Sequence, residues 1–168
     1  RNEFSYLNLV SQLKEREVDR HYLAIVVGEP LYGSTINEPI GRHPKQRTKQ
    51  AVTDAGKEAI TNFKIQERMG GYSLLNVTLG TGRTHQIRVH LAYINFPILG
   101  DSVYGGRRKF AAGASETVKK EIQKFPRQAL HAEKLEFIHP TSGKKVNYSA
   151  KIPNDLEELI EFLRRPDE

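Results

Sequence analysis

The sequence predicts an α+β domain, a largely antiparallel mixed sheet with flanking helices. Three observations predict it. Ala59, Thr61, Phe63 and Ile65 alternate with polar residues, Leu75, Val77 and Leu79 do the same, and Gly70-Gly71 stands between them as a hairpin turn. A second strand pair follows the same plan, with Leu130, Leu135 and Phe137 before a turn at residues 140–143 and Val146, Tyr148, Ala150 and Ile152 after it. Helical spacing appears at both ends, in Phe4, Leu7, Val10 and Leu13 and in Leu156, Leu159, Ile160 and Leu163.

In order, residues 4–13 form an amphipathic helix closed by charged residues. The unbroken run Tyr22-Leu23-Ala24-Ile25-Val26-Val27 suits a central strand buried on both faces, with Tyr22 at its start. Residues 28–49 read as loop and hairpin, broken by Pro30, Gly33, Pro39, Gly41 and Pro44. Arg42, His43, Lys45, Arg47 and Lys49 crowd into their second half, a run suited to sequence-independent contact with phosphates. After the hairpin, Thr84 is the expected N-cap of a helix whose Ile87, Leu91 and Ile94 pack on the sheet. Residues 97–106 make a glycine-rich loop holding Asp101 and Tyr104, and Ser115 caps a short helix running to Lys124. Asn154 and Glu157 resemble a capping box opening the last helix.

Composition narrows the function classes. The 168 residues are 38% hydrophobic, enough for one domain with a core. A formal charge of +6, from 26 basic against 20 acidic residues, suits a polyanionic partner. Cysteine is absent, which excludes disulfides, thiolate nucleophiles and cysteine metal sites. No apolar run approaches membrane-spanning length, so a cytoplasmic protein without membrane attachment is expected. His21, His43, His85, His90, His131 and His139 form no close ligand pair, and no metal is expected.

The chemistry concentrates in Leu79-Gly80-Thr81-Gly82-Arg83-Thr84-His85-Gln86-Ile87-Arg88-Val89-His90, the end of a strand, a glycine turn and a helix start. Arg83, His85 and Arg88 fall near the mouth of that turn, where free backbone N–H groups favour an anion. Phosphate or a carboxylate partner fits them, as does a solvated helix cap. A dinucleotide fingerprint lacks its third glycine here, and no lysine follows as a phosphate-binding loop requires.

This stretch resembles the L-x-T-G-R-T-H-Q-I-R-x-H motif of the RluA-type pseudouridine synthases, most closely the RluD-like branch acting on large-subunit ribosomal RNA. Arg20-His21-Tyr22-Leu23-Ala24 resembles the family's tyrosine-bearing strand. Glu38-Pro39-Ile40-Gly41-Arg42-His43-Pro44 resembles its E-P-I-x-R-H-P loop. Pro97-Ile98-Leu99-Gly100-Asp101-Ser102-Val103-Tyr104-Gly105-Gly106 and Arg127-Gln128-Ala129-Leu130-His131-Ala132 follow in the family's order.

The resemblance implies the pseudouridine synthase fold and an enzyme converting uridine in RNA to its C5-linked isomer, without cofactor or metal. It implies Tyr22 as the ring beside the uracil and Arg88 as the partner of a catalytic carboxylate. Arg42, His43, Lys45, Arg47, Arg83 and His85 are the expected RNA contacts, and Asp101 a loop-shaping residue. The family's R-L-D-x-x-T-[ST]-G motif surrounds none of Asp19, Asp54, Asp101, Asp155 and Asp167. Residues 1–168 are therefore expected to be the C-terminal larger part of a catalytic domain, with the fold's N-terminal part and any S4-type RNA-binding domain missing, inactive alone and monomeric. A non-catalytic RNA-binding module of the same fold is the alternative.

Overall fold

The computed structural model describes residues 2–106 and 110–165. The chain runs α1 (Glu3–Lys14), β1 (Asp19–Val27), β2 (Ser34–Asn37), β3 (Ile40–Arg42), β4 (Gln50–Val52), β5 (Ile60–Arg68), β6 (Tyr72–Leu79), α2 (Gln86–Tyr93), α3 (Glu116–Lys124), β7 (Leu130–Ile138), β8 (Lys145–Ser149) and α4 (Asn154–Arg164). Six strands form one sheet in the order β2-β5-β6-β1-β7-β8, and β3 pairs with β4 as a separate ribbon. The expected antiparallel architecture is present, each ladder among the described residues being antiparallel.

β1 is central because its sequence has nothing to lose by burial on both faces: residues 23–27 are all buried between β6 and β7. Residues opposite one another share a face. Tyr22 opposes Val77 on β6, and Val77 opposes Phe63 on β5, so the three make one row across the sheet. Two places along β5 from Phe63 lies Thr61 on the same face, and Thr61 is bonded to α2. Tyr22 and α2 therefore belong to the same face of the sheet.

Three helix starts or faces differ from expectation. Helix α1 forms, but Phe4, Leu7 and Leu13 of its apolar stripe are exposed. Its buried residue is Gln12, whose amide pairs with the Ile138 backbone through Nε2 to O (2.7 Å) and N–H to Oε1 (2.9 Å), so α1 docks by hydrogen bonds to the end of β7. Thr84 does not cap α2. The N-cap is His85 in the left-handed region (φ 57°), without a capping side-chain bond, because the glycine turn must reverse sharply into the helix. The α4 cap is Pro153 rather than Asn154; its carbonyl accepts from Leu156 and Glu157, while Asp155 reaches Arg127 instead. Ser115 caps α3 as expected, accepting from Val118 N–H.

Residues 97–99 thread against β1 and place the loop that follows. Val27 N–H donates to Pro97 O (2.9 Å), Leu99 N–H to Ile25 O (2.9 Å) and Ala129 N–H to Leu99 O (2.8 Å). Gly100 then turns with φ +75°, and a Cβ there would lie 2.2 Å from the Arg127 carbonyl oxygen.

Candidate active site

The helix bearing the motif is fixed to the sheet by buried polar groups, each with a defined role. Gln86 Nε2 donates to Ile60 O (2.9 Å) and Thr61 Oγ1 (3.0 Å), and its Oε1 accepts from Thr81 Oγ1 (2.8 Å) and from Arg83 N–H (2.9 Å). Gln86 thus ties the glycine turn, the helix start and β5 together, without capping the helix N–H groups as Thr84 was expected to do. One turn on, His90 is fully buried, bonded through Nδ1 to Thr61 Oγ1 (2.9 Å) and through Nε2 to the Glu38 carbonyl (2.9 Å). A carbonyl only accepts, so Nε2 carries the proton and Nδ1 accepts from Thr61. Burial accordingly lowers the His90 pKa, against the raising effect of its bond to Glu38. His90 ties the end of one sequence motif to the start of another, at Glu38.

Arg88 points from α2 toward the 97–106 loop. Its Nε donates to Asp101 Oδ2 at 2.7 Å and its Nη2 to Oδ1 at 2.9 Å, a bidentate pair with the Asp101 side chain wholly buried and Arg88 13% exposed. Asp101 Oδ1 also accepts from the N–H groups of Val103 (2.9 Å) and Tyr104 (3.0 Å). Burial pushes the Asp101 carboxyl up, but Arg88 and these two N–H groups outweigh it and hold the group below its ordinary value. The same pairing raises the Arg88 pKa.

Tyr104 links this pair to its surroundings. The Arg88 guanidinium lies 4.9 Å from the Tyr104 ring centroid, and the phenol oxygen is 2.8 Å from His85 Nδ1. Gln50 N–H, on β4, donates to that oxygen at 3.0 Å. Burial first, and then Arg88, lowers the His85 pKa, which suits a neutral ring accepting from the phenol. The β3–β4 ribbon and its basic turn are thereby fastened to the Arg88 cluster.

Arg88 and His85 are thus brought together around Tyr104. Arg42, Lys45 and Arg47 lie exposed along the β3–β4 ribbon and its turn. His43 is partly absorbed by structure, since its Nδ1 accepts from Lys45 N–H and Gln46 N–H (both 3.1 Å) and closes the turn. Arg83 Nε donates to the Glu58 carbonyl (2.9 Å) on the other side of the glycine turn. Tyr22 lines a separate, mostly apolar cavity of about 330 Å³ with Ala132, Leu135, Tyr148 and Ala150. Among the described residues no three His, Cys, Asp or Glu side chains converge as metal ligands would, and no helix is long and apolar enough to cross a membrane.

Residues 1–93 match the family model described as RNA pseudouridylate synthase. The chain belongs to that family. Curated relatives named ribosomal large subunit pseudouridine synthase D include that of Xanthomonas campestris, 50% identical over 156 residues, which are 93% of this chain and 47% of the relative. That of Escherichia coli K12 is 48% identical over 93% of this chain and 48% of its own length, and that of Pseudomonas aeruginosa 46% identical over 98% and 51%. The chain spans about half the length of these relatives. Among solved structures, human RNA pseudouridylate synthase domain containing 4 superposes with a TM-score of 0.75 at 22% identity, covering 97% of this chain and 69% of that one. Human RNA pseudouridylate synthase domain containing 1 gives 0.73 at 24% identity, covering 97% and 72%. These two establish the pseudouridine synthase fold.

Gln86, Thr61, Tyr104 and Gln50 carry the architecture of the site without having been singled out for it, and Asp101, expected to shape its loop, accepts from Val103 and Tyr104 N–H there but is also the partner of Arg88. Gln86 and His90, spaced i and i+4, mark a polar face on a helix that must pack. Thr61 interrupts an otherwise apolar alternation. These are the two signals the sequence offered.

Proposed function

We propose that this chain is the larger, positioning part of a catalytic domain that isomerises uridine to pseudouridine in RNA, with large-subunit ribosomal RNA as substrate. The observation that carries the reading is Arg88. Its guanidinium is locked by Asp101 through Nε and Nη2, leaving Nη1 without a hydrogen-bond partner among the described residues, on a helix that covers the sheet face bearing Tyr22. The relatives, at 46–50% identity, are named for that substrate.

The reaction cleaves the glycosidic bond, turns the base and rejoins it through C5, so it needs a carboxylate, an aromatic surface and a hold on the strand. Asp101 is a poor candidate for the attacking carboxylate, because both oxygens are engaged by Arg88 and two backbone N–H groups. The reading assigns attack to the aspartate of the family's R-L-D motif, which is not among these 168 residues. Arg88 orients that carboxylate and keeps it ionised through its remaining N–H edge. Tyr22 supplies the ring beside the uracil, and in this reading its phenol helps to move the C5 proton. Arg42, His43, Lys45, Arg47, Arg83 and His85 grip the strand, and Gln50 and Tyr104 transmit the position of the basic turn to Arg88. No cofactor or metal enters, and the protein acts as a cytoplasmic monomer.

The test is pseudouridine formation in large-subunit ribosomal RNA. The 168-residue chain alone is expected to form none, a chain also carrying the R-L-D segment is expected to form it, and Arg88→Ala in the latter is expected to abolish turnover while RNA binding persists. Turnover by the 168 residues alone, or equal loss of binding and turnover in Arg88→Ala, refutes the assignment.

A further inference from the structure

We infer that Lys14, Arg20 and Arg83 form a phosphate-binding cleft that seats the backbone phosphate of the nucleotide whose base lies against Tyr22, an inference that rests on the RNA-modifying reading above.

A cavity of about 450 Å³ opens between the end of α1 and the glycine turn, walled by Lys14, Arg16, Arg20, Glu58, Gly82 and Arg83. Its one carboxylate is already used: Glu58 pairs with Arg16 at 2.7 Å. Lys14, Arg20 and Arg83 have no carboxylate partner among the described residues, so the cleft carries uncompensated positive charge. Arg83 is held at the rim through its bond to the Glu58 carbonyl.

Arg20 is the unusual member. Its Nε is buried and finds no hydrogen-bond partner, a state that native proteins rarely leave unanswered. The guanidinium lies against Gly82, where an added Cβ would stand 2.3 Å from Nη1, so the absence of a side chain at that position is what lets Arg20 settle over the turn. Arg20 also walls the apolar cavity that holds Tyr22, which makes it the partition between a basic cleft and an aromatic one. Arg20 and Tyr22 are two apart on β1 and point to the same face, separated by about 7 Å along the strand. An anion on one side of a guanidinium and a flat ring on the other is the arrangement a single nucleotide presents. A planar guanidinium also suits phosphate oxygens in bidentate geometry.

The test is fluorescence anisotropy of a labelled short oligouridylate with the 168-residue chain over a salt series. Arg20→Gln and Lys14→Gln are each expected to weaken binding several-fold and to lower the slope of log K against log salt by about 0.7, the share of one phosphate contact on a single strand. Gly82→Ala changes no charge yet pushes the Arg20 guanidinium away, and is expected to weaken binding as Arg20→Gln does. Lys119→Gln, on α3, is expected to leave the slope unchanged. Inorganic phosphate is expected to compete with the RNA more strongly than chloride at equal ionic strength, and to lose that advantage in Arg20→Gln. Far-UV circular dichroism checks each variant, and exposed Lys14 keeps the test decisive if Arg20→Gln unfolds. Unchanged binding in Gly82→Ala and Lys14→Gln, or phosphate no better than chloride, overturns the cleft. These binding results stand apart from the turnover assay: a chain with the expected salt slopes that never forms pseudouridine refutes the catalytic reading alone.

Discussion

Replacing Asp101 tests the pair on which the site depends. Asp101→Ala removes the buried partner of Arg88 and, with it, the acceptor for Val103 and Tyr104 N–H. Breaking a buried pair from one side costs about 3–5 kcal/mol, because the remaining charge stays desolvated. Arg88 keeps 13% of its side chain exposed and can relax toward water, so the lower end, about 3 kcal/mol, is expected. Asp101→Asn retains an oxygen for the two backbone donors and should cost less than Asp101→Ala. Urea unfolding followed by far-UV circular dichroism measures both. The pH dependence separates charge from packing. The Asp101 pKa is lowered in the folded chain, so its contribution is full above the unfolded value near pH 4 and is lost as pH falls through the folded value. The gap between wild type and Asp101→Asn is therefore expected to close in acid. A cost below about 1 kcal/mol for Asp101→Ala, or a wild-type to Asn gap that is the same at pH 3 and pH 7, would refute the argument.

Two further outcomes follow from the same geometry. Buried His90 has a lowered pKa, so the unfolded chain takes up a proton first; stability is undiminished above about pH 6.5 and falls as pH drops from there toward the folded value. Urea midpoints between pH 7.5 and pH 5 are expected to decline, less steeply in His90→Gln, with equal slopes counting against the assignment. Gly100→Ala forces a left-handed alanine and drives its Cβ to 2.2 Å from the Arg127 carbonyl oxygen, so a loss of about 2 kcal/mol or more is expected in the same urea assay.

The fold was legible where burial repeats with a simple period. β5 declares itself by alternating burial, β1 by an unbroken apolar run buried on both faces, and α4 by a stripe at every third and fourth residue. The α1 stripe has the same period and is nonetheless exposed, since periodicity records that a face can be buried and not what buries it. Helix starts failed for a related reason. Thr84 and Asn154 have the right chemistry for a cap, but a left-handed His85 takes the N-cap position of one helix without a side-chain bond, and Pro153 takes that of the other. Cap choice depends on the path of the preceding turn, which local sequence does not specify.

The site divides in the same way. Arg83, His85 and Arg88 could be found because charge at a glycine turn is unusual enough to be noticed, whereas their partners are ordinary residues made important by distance in space. Asp101 meets Arg88 only because residues 97–99 thread beside β1, and Tyr104 meets Gln50 only because the β3–β4 ribbon folds back over α2. A cation is advertised by its own sequence; the group that fixes its direction is not. For Arg88 that second property matters more, since a mobile guanidinium attracts any anion, while one held on two edges offers a single remaining edge in a fixed direction. The direction in which Arg88 presents that edge therefore depends on the Asp101 carboxylate that restrains it.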